Sequence, residues 1–372
     1  MEKYIFILGK NRELSLAEIG TLWPDLKLIA VGSDFAVFEG ISMDCQEAQD
    51  RLGGTIKIGT VIGGKLDKTV VLDQILASRG TSEGGRSNFG FSWHNVQQDR
   101  RFGMEIKKEL RAQGISSRLV ESKEKSLSSV IITKEKCLDF IVTPKFLALT
   151  CAVQDFKDYS SRDFGRPKSD AISGMLPPKL AKMMINLSGA NFEDTIVDPS
   201  CGSGTILSEA MAMGFKNLIG SDISDRAVSD SKDNLNWLVD KEKINDCKFD
   251  ISKLDVTKLS EKIKSKSVTA IVTEPYLGPP IKGNEGEAKI IKIIKDLEQL
   301  YLASFAQFEK ALLSGGRVVI VMPEWHLGDE AYGINIADKI EKMKFSRVDE
   351  GNLIYKREDQ KIWRNIIIYE KV

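Results

Sequence analysis

The chain has 372 residues, no net charge at neutral pH, 42% apolar and 28% charged residues, five cysteines and two histidines. Length predicts two or three domains, and the composition is globular rather than disordered or fibrous. No run approaches the roughly 18 apolar residues of a membrane span, and scattered cysteines with so few histidines argue against a disulfide framework or a resident metal, leaving a reduced, cytoplasmic protein as the expectation.

Tyr4–Leu8 reads as a buried strand, too short and too close to an acid for a signal segment. A helix follows, opened by the capping box Ser15-x-x-Glu18. Leu26–Val31 and Phe35–Phe38 form a hairpin around Gly32-Ser33-Asp34. Asp44–Leu52 is a second helix stopped by Gly53-Gly54, and Thr55–Ile62 is a fourth strand. The order βαββαβ predicts a ferredoxin-like domain over residues 1–63. Charge is uneven: residues 1–50 hold 4 Lys/Arg against 9 Asp/Glu, and residues 51–170 hold 21 against 14. A basic middle segment suits a phosphate backbone.

Residues 64–155 have a different texture. A helix over 68–79 leads into a Gly/Ser-rich loop, Gly80–Ser87, and then the strand Phe89–Trp93. A helix over 99–113 buries Ile106 and Leu110 and carries Arg100, Arg101, Lys107, Lys108 and Arg111. Beyond Gly114 come Ser117–Glu121, Ser128–Thr133 and the strands Leu138–Val142 and Phe146–Ala152. In element order, in position after the ferredoxin-like unit and in Ser-Ser-Arg118-Leu-Val-Glu-Ser-Lys-Glu-Lys, this block resembles a THUMP domain, the RNA-binding module of several tRNA-modifying enzymes. The resemblance implies that Arg100, Arg101, Lys107, Lys108 and Arg118 hold tRNA by its phosphates, positioning it without reading sequence. A linker is expected over 156–170.

From 171 to 372, β and α signals alternate as in a doubly wound sheet. Pro177-Pro178 open a helix with Leu180, Met183, Met184 and Leu187 on one face. Thr195-Ile-Val-Asp198 is a strand running into Pro-Ser-Cys201-Gly202-Ser-Gly204-Thr205. A helix follows with Ile206, Leu207, Ala210 and Met211 inward and Gly214 as its stop. Leu207 stands where a dinucleotide fingerprint needs its third glycine, and a P-loop lysine is missing. Asp198 would repel a phosphate but suits a cationic, hydroxyl-bearing ligand such as S-adenosylmethionine. Asn217–Asp222 reads as the next strand, ending in an acid 24 residues after Asp198, where a ribose diol is gripped. A helix over 225–239 follows. Asp250 and Asp255 both fit an adenine-binding position in Asp-x-Ser/Thr-Lys-Leu, and spacing favours Asp255. Val268–Thr273 then runs into Glu274-Pro-Tyr-Leu-Gly278. A helix over 287–313, with Leu297, Leu300, Tyr301, Phe308, Ala311 and Leu312 as its stripe, ends at Gly315-Gly316. Arg317–Met322 is a strand with Trp325 at its edge as a base-stacking candidate. A hairpin around Arg357–Gln360 closes the chain.

Asp-Pro-x-Cys-Gly-Ser-Gly-Thr resembles the first motif of class I methyltransferases acting on exocyclic amines of nucleobases. Gly174-Met175-Leu176-Pro-Pro178, preceded by Arg166-Pro167, is similar to the segment of the tRNA guanosine-10 N2-methyltransferases that closes over the methionine end of the cofactor. The resemblance implies a Rossmann-like class I methyltransferase sheet behind the ferredoxin-like and THUMP-like regions, with tRNA as substrate and no membrane or metal partner. It also implies a cofactor site of Met175, Leu176, Asp198, Cys201, Gly202, Gly204, Thr205, Asp222, Ile223, Asp255 and Val256. Such enzymes place Asp/Asn-Pro-Pro-Tyr after the fourth strand, because an amine whose lone pair is delocalised needs both N–H bonds accepted before it attacks. Glu274, Pro275 and Tyr276 take those positions here. Glu274 is one methylene longer than the usual acid, Tyr276 replaces the second proline, and Leu277 replaces the aromatic. Methylation of another amine in RNA or DNA, or a silent RNA-binding protein of the same fold, are the alternatives.

Overall fold

A computed structural model describes residues 1–79, 86–169, 175–281, 285–327, 330–356 and 360–372, so the tip of the Gly80–Ser87 loop, Gly174 and most of the turn at 357–360 lie outside the described residues. The chain forms two compact units, Met1–Leu16 with Trp23–Asp158, and Ala17–Leu22 with Tyr159–Val372.

The chain opens with β1 (Glu2–Leu8), α1 (Arg12–Leu22, whose residues from Ala17 on count with the second unit), β2 (Lys27–Val31), β3 (Phe35–Gly40), α2 (Cys45–Arg51) and β4 (Thr55–Gly63). It continues with α3 (Lys68–Arg79), β5 (Ser87–Trp93), α4 (Arg100–Ala112), β6 (Ser117–Val120), α5 (Ser129–Glu135), β7 (Leu138–Val142) and β8 (Leu147–Val153). α1 starts three residues before the expected capping box. Ser15 therefore lies inside the helix, where its hydroxyl donates to the Asn11 and Gly54 carbonyls instead of capping an end. All eight strands share one sheet in the order β2-β3-β1-β4-β8-β7-β5-β6. The expected boundary at 63/64 thus falls between strands joined through β4 and β8, and we propose the two motifs as parts of one unit.

A buried ion pair crosses that seam. Lys57 on β4 donates to Asp139 Oδ2 on β7 at 2.6 Å, with the side chains 1% and 0% exposed. The ammonium also donates to Ser92 Oγ on β5 at 2.7 Å. Asp139 in turn accepts from Ser92 at 2.6 Å and from Thr150 on β8 at 2.7 Å. Charges this deep are tolerated only when every valence is met.

A disulfide joins Cys45 at the start of α2 to Cys151 on β8, which corrects the expectation of wholly reduced cysteines. The partners are 106 residues apart and come within 5.9 Å (Cα–Cα). The remaining three cysteines are free.

The second unit contains α6 (Phe156–Phe164) from Tyr159 on, α7 (Pro178–Leu187), β9 (Thr195–Asp198), α8 (Thr205–Met213), β10 (Asn217–Asp222), α9 (Asp225–Glu242) and β11 (Lys248–Lys253). After a 3₁₀ turn over Val256–Glu261 come β12 (Val268–Thr273), α10 (Glu287–Ala311), β13 (Leu312–Leu327), β14 (Glu330–Gly333), α11 (Ala337–Glu341), β15 (Phe345–Val348), β16 (Ile354–Tyr355) and β17 (Ile362–Lys371). The stretch expected as a linker is helical as α6, because Asp155 caps it by accepting from the Lys157 and Asp158 amides. Leu312, expected on the long helix, already belongs to β13, and its register with β12 jumps before Arg317 across the glycines.

The main path of this sheet runs β11-β10-β9-β12-β13-β17-β15, parallel except for β17. β17 is inserted between β13 and β15, and it also forms the expected tail hairpin with β16, though β16 pairs with only two of its residues. Phe305 of α10 packs edge-on to Phe345 and Tyr369 at 5.3 Å, locking the long helix to the antiparallel end. No helix among the described residues is long and apolar enough to cross a membrane.

Lys57→Met leaves Asp139 buried without its counter-charge and lowers the stability of the first unit by about 3–5 kcal/mol in urea titrations. The double variant Lys57→Met with Asp139→Leu loses much less. Equal losses in the two variants would show that the unpaired Asp139 is not what destabilises Lys57→Met.

Candidate active site

Ile196 and Val197 on β9 are wholly buried, and the strand stops where Pro199 has no amide to extend the ladder. The loop beyond it turns through Gly202 (φ +52°) and Gly204 (φ +84°). A Cβ on Gly204 would lie 2.5 Å from Ser231 Oγ of α9, so a side chain there would force α9 away. Gly202 has no atom within 4 Å of its Cβ position, leaving bare backbone facing open space. Its amide donates to Asp222 Oδ2 at 3.0 Å, and Asp222 Oδ1 accepts from the Ser224 amide at 2.9 Å. Ile223, beside that acid, is 68% exposed.

β9 lies between β10 and β12, the point where strand order reverses and ligands dock at carboxyl ends. Asp198 ends β9 and is buried. It accepts from Thr273 Oγ1 at the end of β12 at 2.8 Å and from the Ser200 amide at 3.2 Å. Loss of water pushes its carboxyl up to about 7, further helped by the charges of Asp222 and Glu274 and opposed by the bonds from Thr273 and Ser200.

Glu274 follows β12. Its Oε1 accepts from Arg364 Nε on β17 at 2.5 Å, and Arg364 is 5% exposed. Its Oε2 accepts no hydrogen bond among the described residues. Burial raises this carboxyl, and Arg364 works against the rise. Pro275 is buried, whereas Tyr276 is 60% exposed and its carbonyl accepts from Tyr301 Oη at 2.9 Å. The exposed aromatic therefore sits one residue earlier than in the usual motif.

Arg166 joins the loop from below: its guanidinium donates to Thr205 Oγ1 at 2.7 Å and contacts Met175 Sδ at 2.8 Å. Leu176 and Cys201 are buried, and burial raises the Cys201 thiol, so it stays protonated. Asn234 of α9 ties the loop down, donating to the Ser203 carbonyl at 2.8 Å. Asp255 lies past the end of β11 and caps the 3₁₀ turn through the Thr257 amide at 2.9 Å, with Val256 next to it. Asp250 lies within β11, ion-paired to Lys262 at 2.8 Å. Asp255 thus belongs to the rim and Asp250 to the strand body.

Trp325 is not available to a base. It is fully buried in the core beside Gly278, which corrects the expectation of a stacking residue there. In the first unit, Arg100, Arg101 and Lys108 are exposed on α4, Lys107 is half-buried, and Arg118 pairs with Glu135 at 2.6 Å. Sequence reasoning missed Thr273 and Arg364. A polar residue closing the otherwise apolar β12 was a signal for Thr273; nothing local marked Arg364.

Seven strands in this order, six parallel with one antiparallel strand inserted next to the last, define a class I methyltransferase fold. Residues 166–355, just over half of the chain, match the family described as UPF0020, RMKL-like, methyltransferase domain, and the chain belongs to that family. It is 34% identical over 167 residues to the tRNA (guanine(10)-N2)-dimethyltransferase of Methanothermobacter thermautotrophicus, covering 43% of this chain and 44% of that protein. It is 36% identical over 108 residues to the protein of the same name from Methanocaldococcus jannaschii, covering 28% of this chain and 29% of that one. The chain thus spans less than half the length of these curated relatives. The crystal structure of TrmN from Thermus thermophilus shares the fold along 100% of both chains, with a TM-score of 0.53 and 15% identity.

Because Asp198 holds its proton more tightly folded than unfolded, the native state binds more protons between pH about 4 and about 7, and stability falls as pH rises through that window. Asp198→Asn flattens this slope in urea titrations at pH 5 and 7.5. An unchanged slope would mean that Asp198 is ionised throughout.

Proposed function

We propose that the chain is an S-adenosylmethionine-dependent tRNA methyltransferase acting on the exocyclic N2 of a guanosine, of the position-10 type. The observation that carries this reading is the acid-rimmed glycine loop beside Glu274-Pro275-Tyr276, bridged by the Asp198–Thr273 hydrogen bond. Family membership and the names of the relatives support it. The residues also fit the donor: open backbone at Gly202, carboxylates at Asp198 and Asp222 for a cationic, hydroxyl-bearing ligand, and the exposed apolar Ile223 for a ring face.

When bound, S-adenosylmethionine supplies an electrophilic methyl on its sulfonium. Asp222 holds the ribose, Asp255 and Val256 the adenine, and Met175 with Leu176 close over the methionine end. Glu274 Oε2 and the Pro275 carbonyl accept the two N–H bonds of the target amine, which turns its lone pair toward the methyl. Tyr276 offers its ring to the extruded base. Arg364 holds Glu274 as an anion able to accept the proton released on transfer. Positioning supplies most of the rate gain. The exposed cations of α4, with Lys107 and Arg118, hold tRNA phosphates, and residues 64–155 act as a THUMP-like RNA module.

The test is nucleoside mass spectrometry on tRNA treated with purified protein and the donor. N2-methylguanosine is expected, methyladenosine would move the reading to another amine, and no transfer would leave only RNA binding. Glu274→Ala lowers turnover by about 100-fold or more while donor affinity is retained. Arg364→Gln moves the acidic limb of the pH–rate profile upward, since the remaining groups facing Glu274 are Asp198, itself acidic, and the neutral Tyr301. Full activity of Glu274→Ala would exclude that carboxylate as the acceptor.

A further inference from the structure

We infer that Trp363 is a shelf on which a nucleobase beside the methylated one stacks, an assignment that rests on the RNA reading above. β12 ends at Thr273, opposite Ile320, whereas β13 runs on to Leu327 with β17 along one side and β14 along the other. These three strands stand as a ribbon above the carboxyl edge of the sheet, where ligands dock. Arg364 on this ribbon reaches Glu274 at 2.5 Å. Trp363, the residue before it, turns to the opposite face together with its cross-strand partner Glu324. There the His326 ring stacks on the indole, 3.5 Å between centroids. Glu324 holds that imidazole by its Nε2 at 2.6 Å, and the His326 amide donates to the Lys361 carbonyl at 2.8 Å. One face of the indole is thus fixed from behind. With the imidazole filling that face, the ammonium of Lys356, 4.3 Å from the centroid, lies over the other.

Trp363 is half-buried, and Lys356 and Lys361 are exposed. An exposed cation over a ring is held weakly, so a nucleobase, with a π-face of its own, exchanges for it readily. The displaced ammonium then meets the phosphate of the same nucleotide, and Lys361 adds a second cation. Glu324, the acid of this cluster, is already taken up by His326. A supported aromatic face flanked by lysines is the combination that holds a single RNA strand, the ring taking a base and the cations following the backbone. The reaction supplies the need for it. Extruding a guanosine breaks its stacking with the neighbouring base. A shelf one residue from Arg364 returns that stacking on the protein and keeps the gap from closing. Trp363 is therefore a positioning residue for the RNA, outside the donor site and the grip of Glu274 on the amine.

Filter binding of a tRNA transcript to the native protein, Trp363→Phe and Trp363→Leu tests this, with thermal unfolding as the check on folding. Trp363→Leu is expected to bind about tenfold more weakly. Trp363→Phe keeps a π-face and should stay within about threefold of native. Native-like binding by Trp363→Leu, or equal weakening of both variants, would overturn the shelf and leave Trp363 a packing residue. If Trp363→Leu does not fold, fluorescence carries the test. The difference between the native and Trp363→Phe spectra isolates Trp363 from the other tryptophans, and tRNA should quench that component; an unquenched difference overturns the inference. Native protein that binds tRNA, loses it in Trp363→Leu and forms no N2-methylguanosine would leave the shelf standing without the reaction. Native protein that binds no tRNA would remove the RNA reading and the shelf with it.

Discussion

A carboxylate stripped of water, Asp198, stands where two β-α units diverge, and the hydroxyl of Thr273 is the bond that joins them. Backbone pairing already sets β9 beside β12, and the contact from Thr273 ties their carboxyl ends together just where the glycine loop and Glu274 leave them. An apolar residue at 273 would leave Asp198 with only the Ser200 amide, and a buried acid so poorly satisfied would be held protonated.

The seam of the first unit and the glycine loop of the second treat buried charge in opposite ways. In the first, Lys57 and Asp139 close on each other and on Ser92 and Thr150, so the network needs nothing from outside. Around the loop of the second, Asp198 sits near neutral titration and Arg166 hydrogen-bonds no carboxylate among the described residues, while Glu274 has one oxygen engaged and one open. A satisfied network specifies a fold, whereas unsatisfied groups gathered at one strand edge specify a ligand.

Much of this could be read from the chain itself. The strand, glycine turn and helix over 195–213 were legible because Thr-Ile-Val, two glycines and the i, i+4 apolar pairs each obey local rules. The ferredoxin-like order was legible for the same reason. What escaped was non-local or ambiguous by period. Residues 45 and 151 meet only because β4 pairs with β8, and Arg364 reaches Glu274 only because β17 inserts beside β13. Trp325 looked like an edge aromatic, yet strand alternation turns it into the core under α10. The short α11 and β15 carry too few periods to be seen. α6 hid in a stretch rich in charge and serine, although Asp155 was in place to cap it.

The seam between β4 and β7 bears on how the chain is made. Lys57 is synthesised 82 residues before Asp139, the carboxylate that neutralises it. Until the second motif leaves the ribosome, the groups that bury that ammonium, Ser92, Ser126, Leu127 and Asp139, have not been made, and Lys57 stays in water on β4. The four N-terminal strands can pair before then, but the open edge of β4 is covered only when β8 is made.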